Sequence, residues 1–248
     1  MLRVDGQAAL ITGGSAGIGK ATARVLAAAG AAVCLVARDQ GRLDSAVAEI
    51  EAEGGRAIGV AGDAVAPETR ELSVRRCIAE LGSLDILVNN VGGGIPAKAV
   101  ADMNEEEIRW ITELNLNTTV FYSQLAWRSW MSEHGGAIVN IASLAGIIPR
   151  PGYGWYGVSK AAVAHLAKVL ALEFAPKVRV NAIAPGMVVT ELVRQTVTPE
   201  YLEGTLNRPL QRHGDPEHIA GTVLSLVAPM GAYTTGQLIA VDGGALLV

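Results

Sequence analysis

Ala8-Ala9-Leu10-Ile11-Thr12-Gly13-Gly14-Ser15-Ala16-Gly17-Ile18-Gly19 is a short apolar run that breaks into a glycine-rich loop and then into a helical pattern. An apolar run without polar alternation reads as a strand buried on both faces, the kind found in parallel sheets. Gly13 permits the tight turn, Gly17 lets the backbone approach a pyrophosphate, and Gly19 allows close helix–strand packing. The free amides and the dipole at the start of the following helix then stabilise phosphate charge. Glycine turns also serve ordinary connections, so the loop gains weight from its context. It follows a strand, opens a helix, and has a second strand at 32–37, at the distance where a ribose is contacted.

The same rhythm continues along the chain. Strands are predicted at 8–12, 32–37, 57–61, 86–89, 137–142, 178–183 and 237–241, and helices near 18–29, 41–53, 67–81, 104–131, 155–174 and 215–228. Apolar strands each followed by a helix imply a doubly wound α/β fold of the Rossmann type. It is expected to be a parallel sheet of about seven strands with helices on both faces. No linker or repeat divides residues 1–248, so one domain is expected. The stretch 190–212 breaks the rhythm with Thr198-Pro199-Glu200, a helix start, followed by Gly204 and Pro209. A helical insertion at that edge of the sheet overhangs the ligand crevice, and it is read as a lid.

Composition narrows the function classes. Half of the 248 residues are apolar and the net charge is −4, with no run of Lys or Arg, which speaks against nucleic acid and against a polybasic membrane patch. The longest apolar run, 25–37, is too short to span a bilayer. Cys34 and Cys77 form no CxxC and are read as reduced and structural, in a cytoplasmic protein. The four histidines have no metal-ligand spacing, so no metal is expected. No Gly-x-Ser-x-Gly elbow is present either, so Ser143 is not read as a hydrolase nucleophile.

Tyr156 and Lys160 stand i and i+4 on a predicted helix, so both side chains project from one face. A free tyrosine, with a pKa of about 10, is a poor acid–base catalyst at neutral pH. A nearby ammonium, with the positive ring of an oxidised nicotinamide, stabilises the phenolate, so the Tyr156 pKa is expected to fall. Ser143 ends the fifth predicted strand, where α/β sheets bind ligands. Tyr153 competes as the acid, but four residues on from it lies Gly157, not a cation. After the second strand comes Ala37, not a carboxylate, and then Arg38, whose planar fork pairs with a 2′-phosphate. NADP(H) is therefore favoured. NAD(H) stays open, because Asp39 follows directly and Ala16 stands where a second basic residue would be expected.

The spacing Thr-Gly-x-x-x-Gly-x-Gly differs from the Gly-x-Gly-x-x-Gly of larger dehydrogenases. With Asp63, Asn89-Asn90-Val91-Gly92, Asn115, Ser143, Tyr156, Lys160, Pro185-Gly186, Thr190 and Val241-Asp242-Gly243-Gly244 in this order, the chain resembles the short-chain dehydrogenase/reductase family. The resemblance is to the single-domain branch and covers essentially the whole chain. Val91 departs from it, since the family usually has alanine there. The resemblance implies a dinucleotide site made of Gly13, Ser15, Gly17, Ile18, Gly19, Arg38, Asp63, Ala64, Asn90, Gly92, Pro185, Gly186, Val188 and Thr190, with Tyr156 and Lys160. It also implies the catalytic set Asn115, Ser143, Tyr156 and Lys160. Tyr156 would give its proton to a carbonyl oxygen, Ser143 would bond the same oxygen, Lys160 would hold the nicotinamide ribose, and Asn115 would hold a water in a relay to solvent.

Leu144, Ile147, Ile148, Tyr153, Trp155, Met187 and Val188 are expected to wall a mostly apolar pocket for a carbonyl or secondary alcohol, facing Gly93, Gly94 and Ile95. Arg150 is read as a solvated loop residue, with pairing to an anionic group as the alternative. Arg128 is read as helix-surface charge, not a carrier-protein dock. The pattern is similar to 3-oxoacyl-thioester reductases, and Gly92-Gly93-Gly94 with the 198–200 helix start is also similar to bacterial hydroxysteroid dehydrogenases. A non-catalytic dinucleotide sensor would be expected to lack the tyrosine or the lysine. An extended-branch epimerase would have a glycine at position 16 and a larger substrate domain. Helices 104–131 and 155–174 carry apolar and small residues (Trp127, Trp130, Ala161, Ala162, Ala164) on more than one face, with packing on the sheet as one reading; the resemblance further implies a homotetramer, with these two helices at a dimer contact.

Overall fold

The computed structural model describes residues 2–94, 98–149 and 151–248. Within them seven strands form one parallel sheet in the order β3-β2-β1-β4-β5-β6-β7. These are β1 (Ala8–Thr12), β2 (Ala32–Ala37), β3 (Arg56–Ala61), β4 (Ile86–Asn89), β5 (Gly136–Ile141), β6 (Val178–Pro185) and β7 (Leu238–Val241). The order runs outward in one direction from β1 and in the other from β4, so the two strands meet at a topological switch point, where such sheets bind ligands. Only Ala9, Leu10 and Ile11 of β1 pair with Ile86, Leu87 and Val88 of β4 across it.

The absence of hydrophobic/polar alternation has a direct structural cause. Successive residues of one strand enter two different cores: Ala9 and Ile11 face one, with Val33, Leu35, Ile86 and Val88. Ala8 and Leu10 face the other, with Cys34, Val36 and Leu87. Each face is covered by helices, so most strand positions take an apolar residue. α1 (Gly17–Ala28), α2 (Gln40–Ala52) and α8 (Pro216–Val227) pack on the first face. On the second lie α3 (Pro67–Arg76), α4 (105–134) and α5 (Gly154–Glu173). The helix starts carry their own signals: Asp39 caps α2, Pro67 and Pro216 occupy first-turn positions, and Asn104 with Glu107 forms a capping box on α4.

The predicted fold class holds, and the details differ in several places, of which three bear on the site. β6 runs to Pro185, two residues past its predicted end, because β7 pairs with it as far as Val241. The predicted helix 104–131 is not uniform: α-helical Glu105–Thr112 and Thr118–Ala126 alternate with wide π turns at Glu113–Asn117 and Trp127–Met131. In the first π turn Thr118 Oγ1 donates to Glu113 O (2.9 Å), five residues back. Such turns often mark functional positions. Thirdly, the 190–212 stretch folds into two short helices, α6 (Glu191–Thr196) and α7 (Pro199–Gly204). Thr190 caps the first and Thr198 the second, with Pro199 just inside, as the sequence signal required. The excursion is closed at its base, since Val189 N donates to Gly214 O and Gly214 N donates to Met187 O.

Candidate active site

The glycine loop sits at the carboxyl end of β1, and its shape is held from β4. Thr12 Oγ1 accepts from Asn90 N (2.9 Å) and Val91 N (3.0 Å), while Asn90 Nδ2 donates to Thr12 O (2.9 Å). Gly19 lies inside this knot: a Cβ there would collide with Gly13 O and come within 2.6 Å of Asn90 Nδ2. α1 begins at Gly17 after Ala16, which offers no side-chain cap, so its first amides stay available to a ligand. Ser15 and Ile18 are half-buried, and Ile18 packs on the core below. The Thr190 methyl lies against Gly17, and Gly186 packs closely on Asp242, which brings the Pro185–Thr190 segment over the loop. A backbone cradle with uncapped amides and no room for side chains fits a pyrophosphate.

At the far edge Arg38 is exposed beyond the end of β2. Asp39, which the sequence set against a phosphate, is engaged elsewhere: its Oδ1 accepts from Arg42 N (2.9 Å) as the cap of α2. Arg42 also reaches Glu191 (3.4 Å), tying α2 to α6. Asp63 Oδ1 accepts from Val65 N (3.0 Å), which fixes the turn carrying buried Ala64.

The second group of residues gathers on the other side of the switch point. Lys160 is buried on α5, and its Nζ donates to Ile141 O (2.8 Å) at the end of β5. Burial lowers its pKa to about 8. Asn115, fully buried in the first π turn of α4, grips Gly93 twice: Oδ1 accepts from Gly93 N (2.9 Å) and Nδ2 donates to Gly93 O (2.8 Å). Ser159 Oγ accepts from the same Nδ2 (3.0 Å). A Cβ on Gly92 would lie 2.6 Å from both Asn115 Oδ1 and Lys160 Nζ, so this loop threads between them only as glycine. Ser143 caps the turn Leu144–Gly146 through Ala145 N (3.2 Å), and its hydroxyl lies close enough to the Tyr156 phenol to act against the rise of its pKa.

One electrostatic expectation is corrected. Desolvation raises the Tyr156 pKa above that of a free phenol, and among protein groups only the Ser143 hydrogen bond pulls it back. Lys160 Nζ is 5.9 Å from the Tyr156 ring centroid and spends a hydrogen bond on Ile141 O. At that distance its effect on the phenol is outweighed by burial.

The chain matches the family described as enoyl-(acyl carrier protein) reductase over residues 13–245. It is 36% identical to the 7α-hydroxysteroid dehydrogenase of Escherichia coli (strain K12), covering 98% of this chain and 95% of that protein. It is 35% identical to a 3-oxoacyl-[acyl-carrier-protein] reductase of Synechocystis, covering the whole of both. A solved 7α-hydroxysteroid dehydrogenase complexed with NADH and 7-oxo glycochenodeoxycholic acid superposes with a TM-score of 0.94 at 36% identity, over 98% of this chain and 95% of that one. This chain belongs to the short-chain dehydrogenase/reductase family. As a short-chain dehydrogenase/reductase it is an oxidoreductase of the CH–OH/C=O class that uses a nicotinamide dinucleotide.

Relative to the sequence reading, this short-chain dehydrogenase/reductase has a more divided pocket wall. Tyr153, Trp155 and Tyr156 line one shallow surface recess, and Trp155 Nε1 donates to Thr112 Oγ1 (2.8 Å) on α4. Met187 instead lines a second depression of about 90 Å³ with Leu210, Arg212 and His218. Ile95 and Arg150 lie outside the described residues. Trp127 stacks on Phe174 (4.4 Å) and Trp130 on His134 (3.8 Å), so both tryptophans find partners within the chain. No cluster of metal ligands occurs among the described residues, and His218 serves instead in the capping box of α8, accepting from Asp215 N (2.8 Å). Cys34 and Cys77 are free and buried.

The sequence reading also missed residues that hold the site together. Thr12 stitches the two strands, Ser159 orients Asn115, and the amide pair Asn89–Asn140 (2.9 Å) lies buried beneath the site. Thr12 could have been found, because it immediately precedes the loop at a strand end. Ser159 and Asn140 had no such signal: Ser159 adjoins Lys160 with no spacing of its own to mark it, and Asn140 is a single polar residue in an apolar strand.

Proposed function

We propose that this short-chain dehydrogenase/reductase reduces a largely apolar ketone or 3-oxoacyl thioester with NADPH. The reading is carried by one observation: Tyr156, beside Ser143, and the buried Lys160–Asn115 pair lie across the switch point from an uncapped glycine loop. The loop residues Gly13, Ser15, Gly17, Ile18 and Gly19, with Asn90, Gly92, Asp63 and Ala64, would hold the dinucleotide. Pro185, Gly186, Val188 and Thr190 would close over its nicotinamide end. When bound, that group supplies a hydride. Tyr156 gives its Oη proton to the substrate oxygen, and Ser143 Oγ bonds the same oxygen and orients it. Lys160 positions the ribose and, through Asn115 and the Gly93 backbone, sits on the route by which Tyr156 regains its proton. Arg38 is free to meet a 2′-phosphate because Asp39 is occupied as a helix cap. The 190–212 excursion acts as the lid, excluding water from the pocket.

A hydroxysteroid-type dehydrogenase is the second reading. Its support is the Gly92-Gly93-Gly94 run, of which Gly94 packs closely on Tyr156, where a Cβ would come within 3.0 Å of that residue. A sensor without chemistry is disfavoured because all four catalytic positions are filled. The test is a spectrophotometric screen with NADPH and NADH across acyl-thioester ketones, ketosteroids, diketones and small quinones. Turnover is expected with a kcat/KM for NADPH about ten-fold or more above that for NADH, the scale of one charge-assisted contact. A preference for NADH would overturn the cofactor choice, and no turnover anywhere would overturn the enzyme reading.

Exposed apolar residues support assembly into a homotetramer. Phe121 on α4 and Val158 and Leu172 on α5 are exposed, as are Tyr233, Leu247 and Val248 towards the carboxyl end. Light scattering at micromolar concentration is expected to give a tetramer mass, and a monomer mass would rule the assembly out. A cytoplasmic location is supported by the two unpaired thiols and would be contradicted by recovery of the protein in a secreted fraction.

A further inference from the structure

Two polar rungs join α5 to α4 beside the reacting groups. In the first, Trp155 Nε1 donates to Thr112 Oγ1 (2.8 Å), and that hydroxyl donates in turn to Ile108 O (2.8 Å), one turn back on α4. In the second, Asn115 Nδ2 donates to Ser159 Oγ (3.0 Å), which donates to Tyr156 O (2.8 Å). Trp155 and Ser159 stand i and i+4, so they share one face of α5. Tyr156 and Lys160 each follow a rung residue by one position. On α4 the rungs bracket the entry to the first π turn. Thr112 ends the α-helical segment Glu105–Thr112, and Asn115 is the middle residue of Glu113–Asn117.

We propose that Trp155, acting through Thr112, is a positioning residue that fixes the Tyr156 hydroxyl relative to Asn115 and Lys160. The inference rests on the oxidoreductase reading and adds to it a group outside the Asn115, Ser143, Tyr156 and Lys160 set. α5 begins at Gly154 without a side-chain cap, and helix ends fray. Tyr156 stands in that first turn, directly after Trp155. An indole N–H only donates, and a threonine hydroxyl has one hydrogen and two lone pairs. Thr112 spends its hydrogen on Ile108 O, so the bond between the helices runs in one sense only. Trp155 is half-buried, and holding the edge of so large and rigid a ring also holds the backbone next to it. The wider π turn starts at the residue after Thr112, so a rotation of Thr112 about the axis of α4 would carry Asn115 with it. The Trp155 rung therefore sets both ends of the proton route at once.

The test follows single-turnover reduction of a bicyclic ketone and of a 3-oxobutanoyl thioester by NADPH in the full-length protein. Trp155→Phe keeps an aromatic ring and deletes the donor. Its rate of hydride transfer is expected to fall about ten-fold, the scale of one hydrogen bond, while the KM of the ketone and the Kd of NADPH stay within about two-fold of wild type. Thr112→Val is expected to show the same split, and the double variant no further loss, since all three delete the same bond. Thr112→Ser, which restores the hydroxyl, is expected to return hydride transfer to within about two-fold of wild type. A side chain that only filled space would show neither the rescue by serine nor the flat double variant. An unchanged rate in Trp155→Phe or Thr112→Val, a loss carried by KM, additive losses in the double variant, or no recovery in Thr112→Ser would overturn the proposal. Failure of the wild type to turn over any ketone with either cofactor would instead overturn the oxidoreductase reading beneath it.

Discussion

Tyr156→Phe is expected to lose about 10²–10⁴-fold in kcat while binding NADPH with nearly the wild-type Kd, the range expected for removal of a positioned general acid. The substitution deletes one oxygen and keeps the ring, so the packing of Tyr156 against Gly94 and its neighbours survives. The hydroxyl itself has no substitute within reach: Tyr153 is engaged with Tyr201, and Ser143 caps its own turn. Stopped-flow hydride transfer and a fluorescence titration separate the two effects, and retention of substantial kcat would remove Tyr156 from the mechanism. The wild-type pH profile provides the companion measurement. Burial holds Lys160 near a pKa of about 8, below its ordinary value, while the Tyr156 phenol is raised. Below that pH the lysine is an ammonium and the tyrosine keeps its proton, the state needed for reduction. As pH rises through about 8 the ammonium is lost first. Reduction is therefore expected to decline from about pH 8, well before a free tyrosine would ionise.

Gly19→Ala is expected to weaken dinucleotide binding by about 100-fold or more and to lower Tm, because the added methyl has nowhere to go. Its neighbours are a backbone carbonyl, Gly13 O, and Asn90 Nδ2, which is committed to Thr12 O (2.9 Å). Overpacking of this kind costs about 1–3 kcal/mol, and a domain of this size loses roughly 2–4 °C in Tm per kcal/mol. Relief requires opening the loop that shapes the phosphate cradle, so affinity falls more steeply than stability. Gly221→Ala is the control: nothing lies within 4 Å of a Cβ there, and a mid-helix alanine stabilises by about 0.5–1 kcal/mol. Calorimetric titration with NADP⁺ and a thermal melt check both. Undiminished affinity in Gly19→Ala would show that the loop does not carry the phosphates.

How far these features could be read from the amino-acid order depends on how local their causes are. The strands were legible because each apolar run is forced by burial on two faces, as Leu10 and Ile11 entering opposite cores illustrate. The loop, the Tyr156–Lys160 spacing and the Thr198–Pro199 helix start are set by neighbours within a few residues. The site's supporting contacts are not. The first π turn of α4 depends on Asn115 gripping Gly93, twenty-two positions away, and helix periodicity alone gave a continuous helix. The shift of Tyr156 likewise depends on how densely it is surrounded, which composition does not encode. Asp39 looked like a competitor for phosphate until its amide partner was known. The stacking of Trp127 on Phe174 and of Trp130 on His134 was likewise not to be read from helix periodicity.

The short pairing of β1 with β4 has a mechanical consequence. The glycine loop that would hold the pyrophosphate belongs to one half of the sheet, and the residues that would deliver the proton belong to the other. Three paired residues and the Thr12–Asn90 knot form the seam that aligns them. Misplacement by 1 Å can cost about 100-fold in rate, so the seam works as an alignment joint whose stiffness sets the tolerance of the reaction. Damage there would leave each half intact and well folded, with every reacting group present and out of true.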